Sequence, residues 1–140
     1  KSINVIPPFA KIASNHRLLP GDTMDSVLAR IRKTVKDEGV EIRKIDGTDP
    51  SVISKIDCKG YEAVRDSVLE TWPDAIASPY LMVAGSDSRH WGAICDKVYR
   101  FSAMALSSEE RATIHGNDER VPVGTIMKTV EFYIRLIKRC

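Results

Sequence analysis

Residues 9–19 alternate between apolar and polar character. Ala10, Ile12, Ser14, His16 and Leu18 fall on one side of an extended segment, and Phe9, Lys11, Ala13, Asn15 and Arg17 on the other. That period predicts a strand with one packed face. Pro7 and Pro8 end whatever pairing precedes it, because neither can donate to a ladder, and Leu19-Pro20-Gly21-Asp22 reads as the turn that closes it. The period then changes to that of a helix over residues 23–38. Met24, Val27, Leu28, Ile31 and Val35 share one side, Asp22 or Thr23 is placed to cap the start, and Gly39 is placed at the end. Residues 40–45 read as a second short strand. Strand, helix, strand with one-sided patterning predicts an open sheet with a helix on one face.

Residues 46–58 are loop-like and form the best candidate boundary. Helical spacing resumes with Tyr61, Val64, Val68 and Leu69 and stops at Trp72-Pro73. Two short apolar runs, residues 79–84 and 98–101, are expected as buried strands. The last helix is the clearest. Ile126, Met127, Val130, Tyr133, Ile134 and Ile137 form a wide apolar stripe, with Lys128, Glu131, Arg135 and Lys138 opposite. The expected fold class is therefore α/β, mixed with α+β character, and no repeat or low-complexity segment interrupts it.

Composition narrows the function classes. Of the 140 residues, 43% are hydrophobic and 29% charged, and Lys and Arg total 21 against 19 Asp and Glu, for a net charge of +2. The scattered basic residues form no stripe that tracks a phosphate backbone, so no nucleic-acid partner is expected. The apolar stretches are far short of a membrane span, and no membrane partner is expected either. The start shows no signal-peptide pattern. Cys58, Cys95 and Cys140 are too few and too spread for a disulfide framework. Thiols of this kind suit a reducing compartment, and a cytoplasmic location is the expectation. Residue 1 is Lys rather than Met, which points to a processed or truncated chain, a cloning artefact being the alternative.

Candidate chemistry is sparse. None of the three histidines, His16, His90 and His115, begins a His-x-Asp or His-Glu-x-x-His pattern, so local spacing yields no self-contained zinc site. For any one of them alone, an ordinary surface or core role is the default. His115 stands out because it lies in a polar loop between a short helix start at Ser107-Ser108 and the last helix, where Asp118 or Glu119 could orient its ring. The competing reading is a solvated loop. Gly85-Ser86-Asp87-Ser88-Arg89 follows an apolar run. Small residues there allow close backbone approach to a ligand, and Arg89 could clamp a carboxylate through two nitrogens. Glu109 and Glu110 suit helix capping and the helix dipole better than a catalytic pair.

Taken in series, these pieces resemble metallopeptidase family twenty, which includes aminoacylase, glutamate carboxypeptidase, Gly-Xaa carboxypeptidase and succinyl-diaminopimelate desuccinylase. The resemblance rests on Asn4-Val5-Ile6-Pro7 with Arg17 and Pro20-Gly21-Asp22-Thr23, then Gly85-Ser86-Asp87-Ser88-Arg89, Val98-Tyr99-Arg100-Phe101-Ser102 and His115-Gly116-Asn117-Asp118-Glu119-Arg120. It runs essentially the whole chain, and the Tyr-Arg-Phe-Ser segment leans toward the carboxypeptidase and acylase branch. It implies a partial lid or dimerisation domain at residues 1–45, with an open-faced sheet and a helix on one face. Residues 46–140 become the C-terminal part of an α/β zinc-peptidase catalytic domain. The lid lacks its first helix and strand here, which leaves its sheet an unpaired edge.

The chemistry implied is zinc-assisted amide hydrolysis. Two zinc ions, with cobalt or manganese as alternatives, polarise the scissile carbonyl and acidify a bridging water, and a glutamate takes its proton. By the resemblance, His115 supplies one imidazole, Asn4 holds the developing oxyanion, Arg17 and Arg89 bind the substrate's free carboxylate, and Gly85 and Ser86 line the pocket. The other metal ligands belong to the family's N-terminal half, so this chain alone is expected to bind zinc weakly and hydrolyse nothing. Ser86 stands where the family often has Thr, and His90 where an apolar or aromatic residue is usual. Expected partners are a small peptide or N-acyl amino acid, the N-terminal half of the same polypeptide, and a second copy through the lid. A non-catalytic dimerisation or ligand-binding module derived from the family is the alternative.

Overall fold

The computed structural model describes Asn4 and residues 6–140. Lys1 and the Val5 of the Asn4–Pro7 segment lie outside the described residues. The chain divides into two compact units, Lys1–Pro50 and Ser51–Cys140, and the division falls inside the loop-like stretch of residues 46–58.

In the first unit the helix α1 spans Met24–Val35. Thr23 is its cap. The Thr23 Oγ1 accepts from Ser26 N at 3.1 Å, and Ser26 Oγ accepts from Thr23 N at 2.9 Å, which satisfies two of the donors that a helix start leaves open. A third, Met24 N, donates to Asp49 Oδ1 at 2.7 Å, so a carboxylate sits at the positive end of the helix dipole. Val27 is buried on the expected side. The helix ends earlier than the spacing predicts. Lys36, at φ 51°, takes the left-handed terminating role expected of Gly39, and Gly39 N instead bonds Asp37 Oδ1 at 2.9 Å. Gly21, at φ 96°, makes the expected turn, closed by Asp22 N to Leu19 O at 3.0 Å. Gly47 suits its backbone at φ 148°, and an added Cβ would lie 3.1 Å from the Met24 sulfur, a tight contact that the flexible side chain would have to relieve by a small shift.

The second unit carries α2 (Lys59–Thr71), a 3-10 helix (Asp87–Ala93), the short α3 (Ser108–Ala112) and α4 (Val123–Ile137). Its core is the contact between α2 and α4. Phe132 is fully buried, with the rings of Phe101 at 5.1 Å, Trp72 at 6.0 Å and Tyr133 at 5.1 Å. The buried residues of α2 are small and polar. Ser67 and Thr71 are buried but return their hydroxyls to Ala63 O and Ser67 O at 2.7 and 2.8 Å, which leaves neither hydroxyl donor unsatisfied. Thr125 and Thr129 of α4 bond the carbonyls of Ala105 and Ala103.

Two expectations are corrected. First, the α/β class is met in its helices only: among the described residues no strand is formed. The stretches at 9–19, 40–45, 79–84 and 98–101 are non-helical and unpaired. Most of their apolar side chains are open to solvent, Ile12 at 95% and Tyr80 at 89% exposure. A strand exists only with a neighbour to take its N–H and C=O groups, and none is supplied among the described residues. Second, α4 packs through Thr125, Thr129, Phe132 and Arg135 rather than through its apolar stripe. Arg135, expected on the solvated side, donates to Thr71 Oγ1 at 3.1 Å and pairs with Glu131 at 2.7 Å. The stripe itself is exposed, with Met127 at 68% and Ile137 at 72%. No helix among the described residues is long and apolar enough to cross a membrane.

Candidate functional site

The Gly85–Arg89 segment is a built turn. Ser86 caps the 3-10 helix, its Oγ accepting from Ser88 N at 3.2 Å and its carbonyl from Arg89 N at 3.1 Å. The turn is held from below by Arg100, whose Nε donates to Ser88 Oγ at 2.6 Å and whose Nη2 donates to Ser51 Oγ at 2.5 Å. Gly85 and Arg89 are exposed. A Cβ on Gly85 would meet nothing within 4 Å, so no described neighbour demands a glycine there. The Arg89 guanidinium pairs with no described carboxylate. Gly85, Ser86 and Arg89 are thus brought together, and Arg100 is the residue that sequence reasoning left without a role.

His115 lies on a separate exposed turn of the same unit. A capping box starts α3, with Ser107 N to Glu110 Oε2 at 2.7 Å and Glu110 N to Ser107 Oγ at 3.2 Å. Glu109 is held below the usual carboxylate range by its own backbone N–H and then the Ser107 side chain. Both acids therefore serve the helix start. The chain then turns, with Gly116 N on Thr113 O at 2.8 Å, and His115 adopts φ 65°. Asp118 pairs with Arg120 instead of orienting the His115 ring, and no described hydrogen bond or ion pair joins His115 to the Arg89 turn. Among the described residues no group of three or more His, Cys, Asp or Glu side chains could hold a metal ion. The residues present do not by themselves fit a zinc centre.

In the first unit Asn4 is exposed in a turn and Arg17 is exposed on the extended stretch. The Ser14 Oγ lies 2.8 Å from His16 Nε2, as expected of positions two apart on one side of an extended chain. A groove of about 390 Å³ in this unit is lined by Arg32, Lys36, Asp37, Glu38, Val40 and Ile42 and contains none of the expected site residues.

The chain is similar over 136 residues to a carboxypeptidase S-like protein of Dictyostelium discoideum, at 31% identity over 96% of this chain and 26% of that protein. It is 36% identical over 136 residues to the N-fatty-acyl-amino acid synthase/hydrolase PM20D1 of Xenopus tropicalis, covering 96% of this chain and 27% of the relative. It is 32% identical over 138 residues to the human protein of the same name, covering 96% and 28%. The chain belongs to metallopeptidase family twenty. It spans about a quarter of the length of these family members. No family model and no solved structure matches it.

One further cluster joins residues far apart in the sequence, Cys58 and Tyr99. Cys58 occupies the N-cap position of α2 without a side-chain cap bond, its Sγ lies 2.8 Å from Tyr99 Oη, and the single O–H of that phenol is placed to donate either to the sulfur or to Lys55 O at 2.6 Å. Hydrogen bonding from Tyr99, and from the backbone at Tyr61, lowers the Cys58 thiol from its ordinary range, while burial and the thiol raise the Tyr99 phenol. Because the folded thiol is the more acidic one, its contribution to stability is fully present above the unfolded thiol value of about 8.5. That contribution is lost as pH falls through the lowered value. Only the thiolate alkylates, so the pH midpoint for iodoacetamide labelling of Cys58 is expected below the ordinary thiol range. Tyr99→Phe should move it upward. An unchanged midpoint, read by mass spectrometry of the Cys58 peptide, removes the phenol from this account.

Proposed function

We propose that the whole protein is a zinc-dependent amidohydrolase acting on N-acyl amino acids, or on small peptides with a free carboxylate. In this reading the chain contributes the turn that receives the carboxylate. The observation that carries this is similarity along 96% of the chain to proteins named carboxypeptidase S-like and N-fatty-acyl-amino acid synthase/hydrolase. Substrates of both descriptions share an amide bond close to a free carboxylate. The exposed, unpaired guanidinium of Arg89 on a capped turn suits such a group.

In this reading Gly85 and Ser86 line the pocket, Arg17 adds a second contact to the carboxylate, and Asn4 holds the carbonyl oxygen as charge develops on it. His115 is one donor to a dinuclear zinc centre, for which cobalt or manganese can substitute, and the remaining ligands come from the rest of the catalytic domain. Residues 9–19 and 40–45 pair into the open lid sheet when neighbouring strands are present, and that lid joins two protomers.

The test is release of free amino acid from N-acyl amino acids and dipeptides by the whole protein, before and after metal removal. Activity is expected to vanish with a chelator and return with zinc. Arg17→Ala should raise KM for carboxylate-bearing substrates by about tenfold, the scale of one hydrogen bond to a charged group, with kcat little changed. Absence of amino acid release from both substrate kinds sinks the hydrolase reading and leaves the ligand-binding module.

A further inference from the structure

Arg100 is a half-buried cation without a described counter-ion. Its two protein acceptors, Ser88 Oγ at 2.6 Å and Ser51 Oγ at 2.5 Å, are neutral hydroxyls, and none of the ion pairs among the described residues includes it. A guanidinium has five N–H donors, and these bonds use one on Nε and one on Nη2. Nη1 has no described acceptor. Since no buried side-chain nitrogen or oxygen among the described residues is left without a partner, Nη1 is open to solvent. Partial burial removes hydration from the charge, and neutral hydroxyls compensate it less well than an anion does. The cation is also held rigid, through Ser51 at one nitrogen and Ser88 at another. Rigid placement with donors left over is what a bidentate carboxylate site requires.

The tether through Ser88 places this cation against the turn that presents Arg89. Asp87, the acid of the same turn, pairs with neither arginine. We propose that Arg100 is a further cation of the carboxylate site, beyond those assigned above, receiving through its free donors the same substrate carboxylate that Arg89 contacts. This rests on the hydrolase reading above. It assigns to Arg100 a specificity role: selection of substrates that carry a negative charge next to the scissile amide.

The experiment uses the whole protein and compares an N-acyl amino acid with its neutral carboxamide. Arg100→Gln is expected to raise KM for the acid by about 10- to 100-fold, the range for losing a charged hydrogen-bonding partner. The carboxamide kinetics should change less than about twofold. Arg100→Lys should recover part of the discrimination, because it restores the charge without the fork. Should Arg100→Gln fail to fold, Ser51→Ala keeps the cation and removes one tether, and a smaller rise confined to the acid is expected. An equal loss on acid and carboxamide makes Arg100 a structural residue and overturns the proposal, as does an unchanged KM for the acid in a folded variant. Wild-type protein that turns over the acid, with Arg89→Ala impaired and Arg100→Gln intact, removes Arg100 alone. Wild-type protein inactive on both substrates removes the hydrolase reading with it.

Discussion

Alanine at position 115 is expected to lower kcat of the whole protein on N-acyl amino acids by on the order of 1,000-fold. That factor corresponds to the several kcal/mol of charge stabilisation that a bound metal supplies to an amide transition state. His16, His90 and His115 are all exposed, and among the described residues no group of three or more metal-binding side chains contains any of them. The backbone gives a second variant that separates chemistry from folding. His115 is held at φ 65°, a region where a side chain costs about 1 kcal/mol relative to glycine. His115→Gly should therefore leave the melting temperature unchanged or slightly raised while losing activity to the same extent. Steady-state kinetics with kcat within about tenfold of wild type would take His115 out of the site.

The second large effect falls on stability. Phe132 is the one large side chain at the α2/α4 contact that is fully buried, enclosed by the rings of Trp72, Phe101 and Tyr133. Phe132→Ala is expected to cost about 3–5 kcal/mol, combining lost transfer energy with the cavity left behind. Met127→Ala, five residues earlier on the opposite side of α4, should cost within about 0.5 kcal/mol in this chain because Met127 is already 68% exposed. Denaturant unfolding of the two variants decides it. A larger loss for Met127→Ala than for Phe132→Ala would mean that the apolar stripe, not the phenylalanine side, is the packed face of α4. Arg135→Ala is a weaker probe of the same contact, since its ion pairs with Glu131 and Glu70 are solvent-accessible and therefore screened.

Much of the local structure was legible because it is decided by neighbours in sequence. Thr23 caps α1 through a residue three positions on, Ser107 does the same for α3, and Gly21 adopts the positive φ that its turn needs. α1 ends before Gly39 because Lys36 adopts a left-handed conformation that glycine more often takes. The serine and arginine of the candidate turn were also visible as residue types at the end of an apolar run. What the run could not disclose was Arg100 beneath it, because Ser51 and Arg100 are separated by 49 positions and meet only through folding. Cys58 and Tyr99, 41 positions apart, were hidden for the same reason.

Residue order by itself determined the main helices, the caps at Thr23 and Ser107, the turn at Gly21, and membership of the family, since each depends on spacing within a few residues or on motifs in series. Tertiary structure decided which side of α4 is covered, which acid His115 does without, and whether the alternating segments become strands. Periodicity reports that a face is suited to burial, whereas burial itself requires a second surface of matching shape. The rings of Trp72 and Phe101 supply that surface to Phe132, and nothing among the described residues supplies it to the stripe from Ile126 to Ile137.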